Sequence, residues 1–131
     1  PVMGHLGMTP QSVNAFGGFK VQGRGDAAET IIEDAQALQE AGCFAIVLEL
    51  IPAELASRIR SEVSIPVIGI GAGADCDAQV LVWTDLMGLT EKAPRFARAY
   101  RDLRGEMSGA VKEWMDDVAT GRFPNEAETF H

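Results

Sequence analysis

Two short, unbroken apolar runs, CFAIVL at residues 43–48 and IPVIGI at 65–70, stand on either side of a stretch with helical periodicity. Runs of this length without polar alternation suit parallel strands covered on both faces. Parallel strands cannot be joined by a hairpin, so a strand, a helix and a second strand with tight joints form a β/α unit. The pattern extends toward the start of the chain. Residues 1–7 (PVMGHLG) read as a strand ending in glycine. Residues 26–42 read as a helix, because Ala28, Ile31, Ala35 and Leu38 recur on one face beside Ile32. Asp26 is its candidate cap, Glu29 stands at the reciprocal capping-box position, and Gly42 supplies a left-handed stop. Pro52 opens the helix between the two runs, with Leu55, Ala56, Ile59 and Val63 inward.

The remainder is less regular. Residues 8–25 form a long polar loop with glycines at 17, 18, 23 and 25, and long ordered loops are usually functional. Residues 78–83 are apolar without a readable period. After a polar break at 91–94 the pattern predicts a short helix at 95–100. A long amphipathic helix at 103–120 follows, with Leu103, Met107, Ala110, Val111, Trp114, Met115 and Val118 inward. Gly121 ends it and Pro124 keeps it from resuming, leaving a polar tail. The fold class is parallel α/β, with residues 1–131 as a single domain. The residues give three firm strands and one further candidate; four would make half of a closed eight-stranded barrel, which needs about 200 residues, and would leave two bare sheet edges. The chain opens at Pro1 directly in an apolar segment, so the expectation is one part of a longer protein. A net charge of −8 argues against binding a phosphate backbone. No apolar run reaches the length of a membrane span and no basic signal-peptide start is present. Two cysteines are too few for a disulfide scaffold, Cys43 reads as a buried thiol, and the expected setting is the reducing cytoplasm.

In parallel α/β folds ligands bind at the carboxyl ends of the strands. His5 (MGHLG), Glu49 (VLELIP) and the glycines of GIGAG at 69–73 all fall there. A carboxylate that follows six mostly apolar residues loses hydration, which disfavours its charged form and suits a general base working near neutral pH. The competing reading of Glu49 is a strand-end carboxylate satisfied by backbone amides or an arginine. His5 is either a hydrogen-bond donor to an anionic substrate oxygen or a satisfied core histidine. GIGAG either binds an anion through its amides or makes a tight turn, and it lacks the spacing of a dinucleotide fingerprint. Asp75 and Asp77 read as helix caps rather than part of a calcium loop. Lys20 and Arg24 flank the long loop as solvated charges or as contacts to an anion. Ser12 has no readable histidine partner, so hydrolase chemistry has no support.

Several segments resemble ketopantoate hydroxymethyltransferase: GHLGMTPQSVNAFGGFKVQGR, AGCFAIVLELIPAELA, IPVIGIGAGADCDAQVLVW and the ending GRFPNEAETFH. The resemblance runs through essentially the whole chain and corresponds to the C-terminal half of that family's (β/α)₈ TIM barrel. It implies transfer of a hydroxymethyl group from 5,10-methylenetetrahydrofolate to 3-methyl-2-oxobutanoate, giving 2-dehydropantoate for pantothenate and coenzyme A. It implies Glu49 as the catalytic proton acceptor and His5 as a substrate contact. It implies Mg²⁺ on the keto acid, with ligands in an N-terminal half outside this chain, and a homo-oligomer. Two alternatives stay open. One is a non-catalytic half-barrel that complements a missing half. The other is an enzyme of the related phosphoenolpyruvate mutase and isocitrate lyase group.

Overall fold

The structure, a computed structural model, describes residues 1–131. The chain divides into two compact units, Pro1–Leu81 and Val82–His131.

The first unit is a four-stranded parallel sheet in the order β1-β2-β3-β4 with two helices. Its strands are β1 (Met3–Gly7), β2 (Ala45–Glu49), β3 (Val67–Ile70) and β4 (Ala78–Gln79), and its helices α1 (Ala27–Glu40) and α2 (Ala53–Glu62). The apolar segment at 78–83 thus resolves into a two-residue strand and the chain that follows it. Register decides which residues make the core. His5 pairs with Val47 and Val47 with Ile68, while Leu6 pairs with Leu48 and Leu48 with Gly69. Side chains alternate along each strand, so these two sets face opposite ways. The set with Leu6, Ile46, Leu48 and Val67 packs with Ile32 and Ala35 of α1 and Leu55, Ala56 and Ile59 of α2. Ile46, Leu48, Ile59 and Val67 are wholly buried, each contributing about 1.5–3 kcal/mol of transfer free energy. Gly4 lies on this face because a Cβ there would stand 2.7 Å from Leu38 Cδ1.

The opposite face is a correction to the sequence reading. The unbroken apolar runs predict cover on both sides, yet within the first unit α1 and α2 cover one. His5, Val47, Glu49 and Ile68 point away from the core cluster and remain partly exposed, and Met3 is 42% exposed. Apolar content records that a face is covered in the finished protein, not which polypeptide covers it.

Two caps also differ from expectation. Asp26 sits in helical conformation (φ −63°, ψ −23°) and makes no side-chain cap; a capping side chain needs an extended backbone to fold over the first amides. Glu29 is instead gripped by the fork of Arg58, with Nη2 donating to Oε2 at 2.9 Å and Nη1 to Oε1. Asp77 caps no helix. Its carboxylate accepts from the Val67 amide at 2.9 Å and from Arg60 Nε at 2.7 Å, fastening the start of β3.

The Val67 amide, and after it the Arg60 guanidinium, hold the Asp77 carboxyl below its ordinary value of 3.8. The charged form is the one favoured by folding, so this stabilisation is complete above about pH 4 and drains away as pH falls through the lower folded value. Asp77→Asn is expected to be less stable near neutral pH and to have a shallower acid limb below about pH 4. Denaturant titrations across that range check this, and coincident acid limbs would contradict it.

The second unit carries α3 (Trp83–Leu86) and α4 (Leu103–Ala119). The helix predicted at 95–100 does not form. Pro94 starts a single turn closed by the Ala97 amide at 2.9 Å. Beyond it the Tyr100 and Leu103 amides bond to the carbonyls of Leu86 (2.8 Å) and Met87 (3.1 Å). A segment of under two turns gains too little from its own ladder to compete with such partners. In α4, Asp102 caps the Gly105 amide at 3.0 Å. The helix buries none of its residues: Met107, Val111, Trp114, Met115 and Val118 share a face, as their spacing predicts, but all are exposed. Phe123 stands edge-on to Trp114 of that face at 6.3 Å. The expectation that these residues point into a core of this chain is therefore overturned. No helix of the chain is long and apolar enough to cross a membrane.

Candidate functional site

The parallel ladder between β1 and β2 brings the two sequence-predicted site residues together. Gly7 pairs with Glu49, which puts His5 and Glu49 on the same face of neighbouring strands, two residues out of step. Histidine Nε2 lies 3.0 Å from Glu49 Oε2. With the proton on Nε2 the imidazole donates this bond. Glu49 Oε1 accepts no hydrogen bond, and the Glu49 side chain retains 14% of its exposure against 33% for His5. One oxygen is thus oriented and the other stays open, the arrangement a proton acceptor needs.

Backbone constraints fix the pair. Gly7 has φ +90°, and a Cβ there would overlap the Glu49 carbonyl oxygen. That carbonyl accepts the Met8 amide at 2.8 Å. Leu50 is the chain's sole non-glycine residue at positive φ (51°). Its amide donates to Ile70 (2.9 Å), and its carbonyl accepts from Gln22 (3.0 Å). Neither Gly7 nor Leu50 was singled out from the sequence; the first shows there as a glycine at a strand end, and the second leaves no mark.

The other candidates separate from this pair. The glycines at 69–73 turn tightly, with Gly71 and Gly73 at positive φ, and a Cβ on Gly73 would come within 2.5 Å of Ala53 Cβ. Gln79 Nε2 donates to the Gly73 carbonyl at 2.9 Å. Lys20 and Arg24 are exposed. Cys43 and Cys76 are free thiols. Burial first, then the charges of Asp77 and Asp75, push the Cys76 thiol up, so it is a poor nucleophile.

A cleft of about 340 Å³ includes His5 together with Gly7, Thr9, Phe16, Gln22 and Asp34, so the long loop and α1 wall one side of the histidine. Glu49 lines neither that cleft nor a groove of similar size between the starts of α1 and α2, which is lined by Gly23, Leu55 and Arg58. Its arginine is already held by Glu29 and Glu62, so the cleft beside His5 is the better candidate.

A parallel sheet backed by helices, with a hydrogen-bonded histidine and carboxylate at its strand ends, defines an α/β protein. The sequence matches the family profile described as ketopantoate hydroxymethyltransferase over residues 1–126. It is 58% identical to the 3-methyl-2-oxobutanoate hydroxymethyltransferase of Acidothermus cellulolyticus over 131 residues, 99% of this chain and 48% of that protein. Against the protein of the same name from Mycobacterium ulcerans the identity is 57%, covering 99% of this chain and 44% of that one. For that of Syntrophus aciditrophicus it is 54%, covering 99% and 48%. This chain belongs to the ketopantoate hydroxymethyltransferase family, and it spans about half the length of the curated relatives it matches.

Proposed function

We propose that this chain is the carboxyl-terminal half of a cytoplasmic enzyme that transfers a hydroxymethyl group from 5,10-methylenetetrahydrofolate to 3-methyl-2-oxobutanoate, giving 2-dehydropantoate. The observation that carries the reading is the His5–Glu49 pair at the carboxyl ends of adjacent parallel strands, in a chain of this family. Glu49 takes the proton from the carbon beside the keto group. The electron pair left behind forms an enolate. Water hydrolyses the methylene bridge of the donor, breaking both of its C–N bonds to release tetrahydrofolate and formaldehyde; the enolate carbon attacks the formaldehyde carbon, and the oxygen takes up a proton to become the new hydroxyl. His5 holds Glu49 Oε2 and contacts the substrate, leaving Oε1 to receive the proton.

The bare sheet face and the open edges of β1 and β4 support a half-barrel, with all 131 residues part of one barrel domain completed by further polypeptide. Magnesium is implied by the family resemblance. No three His, Cys, Asp or Glu side chains of this chain are grouped to hold a cation. One carboxylate beside an imidazole is not the oxygen set that magnesium takes. The ligands would have to come from beyond this chain, and no step above runs through the metal. The exposed face of α4 supports a homo-oligomer, and a monomeric mass in solution for the assembled enzyme would remove that part of the proposal.

Product analysis with and without the folate donor tests the reaction. The expected result is 2-dehydropantoate only when the donor is present. Without the donor, exchange of the C3 hydrogen of the keto acid with solvent deuterium should persist. A product formed without the donor would point to the mutase and lyase group instead.

A further inference from the structure

Strand alternation would put Glu49 and Ile51 on one face, because residues two apart in an extended chain point the same way. They lie on opposite faces. Glu49 turns away from the core to meet His5 Nε2 at 3.0 Å, whereas Ile51 is 3% exposed within the core cluster that holds Leu48, Leu55 and Ile59. Ile51 is also seated against β1, since a Cβ on Gly7 would come within 2.7 Å of its Cγ2. The residue between them makes the change of face. Leu50 is left-handed, at φ 51°, which ends the two-residue alternation directly after Glu49.

Leucine is a poor residue for this conformation, because its Cβ crowds the following carbonyl; glycine takes it freely and asparagine more readily than most. The surroundings impose it. The Met8 amide donates to the Glu49 carbonyl at 2.8 Å, the Gln22 amide donates to the Leu50 carbonyl at 3.0 Å, and the Leu50 amide donates to the Ile70 carbonyl at 2.9 Å. Three separate segments, the exits of β1 and β3 and the end of the long loop, thus meet on two consecutive residues. Gly23, next to Gln22, leaves no room for a Cβ beside Leu55 and Ile31, so the loop end is itself pressed onto the helices. A backbone outlier fixed from several sides beside a functional carboxylate is how strain is kept where a site needs it.

We propose that Leu50 is a positioning residue for the proton acceptor: its left-handed backbone holds the Glu49 carboxylate beside His5 while Ile51 anchors the chain in the core. The inference rests on the reading of Glu49 as the base. It concerns the backbone of residue 50 rather than its side chain. An extended residue 50 would give Glu49 and Ile51 one direction. Burying Ile51 would then draw the carboxylate away from His5, and keeping the carboxylate in place would expel Ile51 from the core.

The test compares Leu50→Val, Leu50→Gly and Leu50→Asn in the assembled enzyme, with kcat and KM measured on the folded fraction. Valine resembles leucine in chemistry but resists a left-handed backbone, because it is β-branched. Leu50→Val is expected to lower kcat by about tenfold, with KM for the keto acid close to unchanged, since a small misplacement of a catalytic group costs rate. Leu50→Gly and Leu50→Asn, which accept the conformation, are expected to keep kcat within about threefold. A packing role for the side chain predicts the reverse order. An unchanged kcat in Leu50→Val, or a loss beyond about tenfold in the Gly and Asn variants, therefore overturns the proposal. Should Leu50→Val not fold, the Gly and Asn variants decide alone. Turnover that survives Glu49→Gln would remove the base reading instead. The ring ¹⁵N signals of His5, assigned with His5→Gln, then decide the positioning by themselves. A Nε2 signal displaced in Leu50→Val and kept in the Gly and Asn variants supports it, and any other pattern overturns it.

Discussion

Glu49→Gln is expected to lower kcat by about 10²- to 10⁴-fold in the assembled enzyme, with KM for the keto acid close to unchanged. The substitution keeps the shape of the side chain and a hydrogen-bonding oxygen toward His5, but an amide takes up no proton. The loss is therefore expected in the chemical step, and deuterium exchange at C3 should fall in parallel with turnover. His5→Gln is expected to cost less, about tenfold, because it loosens one oxygen of the carboxylate without removing the base. Turnover in Glu49→Gln within a few-fold of the unmodified enzyme would assign the proton transfer to another group. A larger loss in His5→Gln than in Glu49→Gln would reverse the two roles.

Gly7→Ala is expected to destabilise the fold by on the order of 3 kcal/mol, far more than its single added methyl group implies. Part of the cost is the left-handed backbone at φ +90°, which a Cβ disfavours by about 1–2 kcal/mol. The rest is collision with the Glu49 carbonyl oxygen, a backbone atom fixed by the Met8 amide, so relief requires moving β1 against β2. That movement shifts His5 relative to Glu49, so activity measured on the folded fraction should fall as well. A denaturation midpoint equal to that of the unmodified chain would show that the β1–β2 junction yields more readily than its geometry implies.

Much of this architecture was legible in the residues. The unbroken apolar runs at 43–48 and 65–70 gave the parallel strands, and the spacing of Ile32, Ala35, Leu55 and Ile59 gave the faces that cover them. Glu49 and His5 were legible as strand-end residues. Their contact was not, because it depends on the pairing of β1 with β2, and register is set by packing between residues 44 positions apart in the chain. The misplaced features share a cause. The helix expected at 95–100 and the inward face of α4 were inferred from periodicity, which says which residues lie together but not what lies opposite them. The cap expected of Asp26 fails because its own backbone is helical, the capping-box partner Glu29 is taken by Arg58, and Asp77 is engaged by Arg60 and the Val67 amide.

Leu50 adds a mechanical consequence. A branched side chain held at φ 51° stores on the order of 1–3 kcal/mol of strain, so position 50 would spring toward an ordinary conformation if released. Its two backbone bonds, one to the exit of β3 and one to the long loop at Gln22, act as a clasp against that recoil. Tugging on the loop therefore loads the peptide immediately after Glu49, so a molecule seated beside Gln22 would reach the carboxylate through one hydrogen bond and one peptide unit.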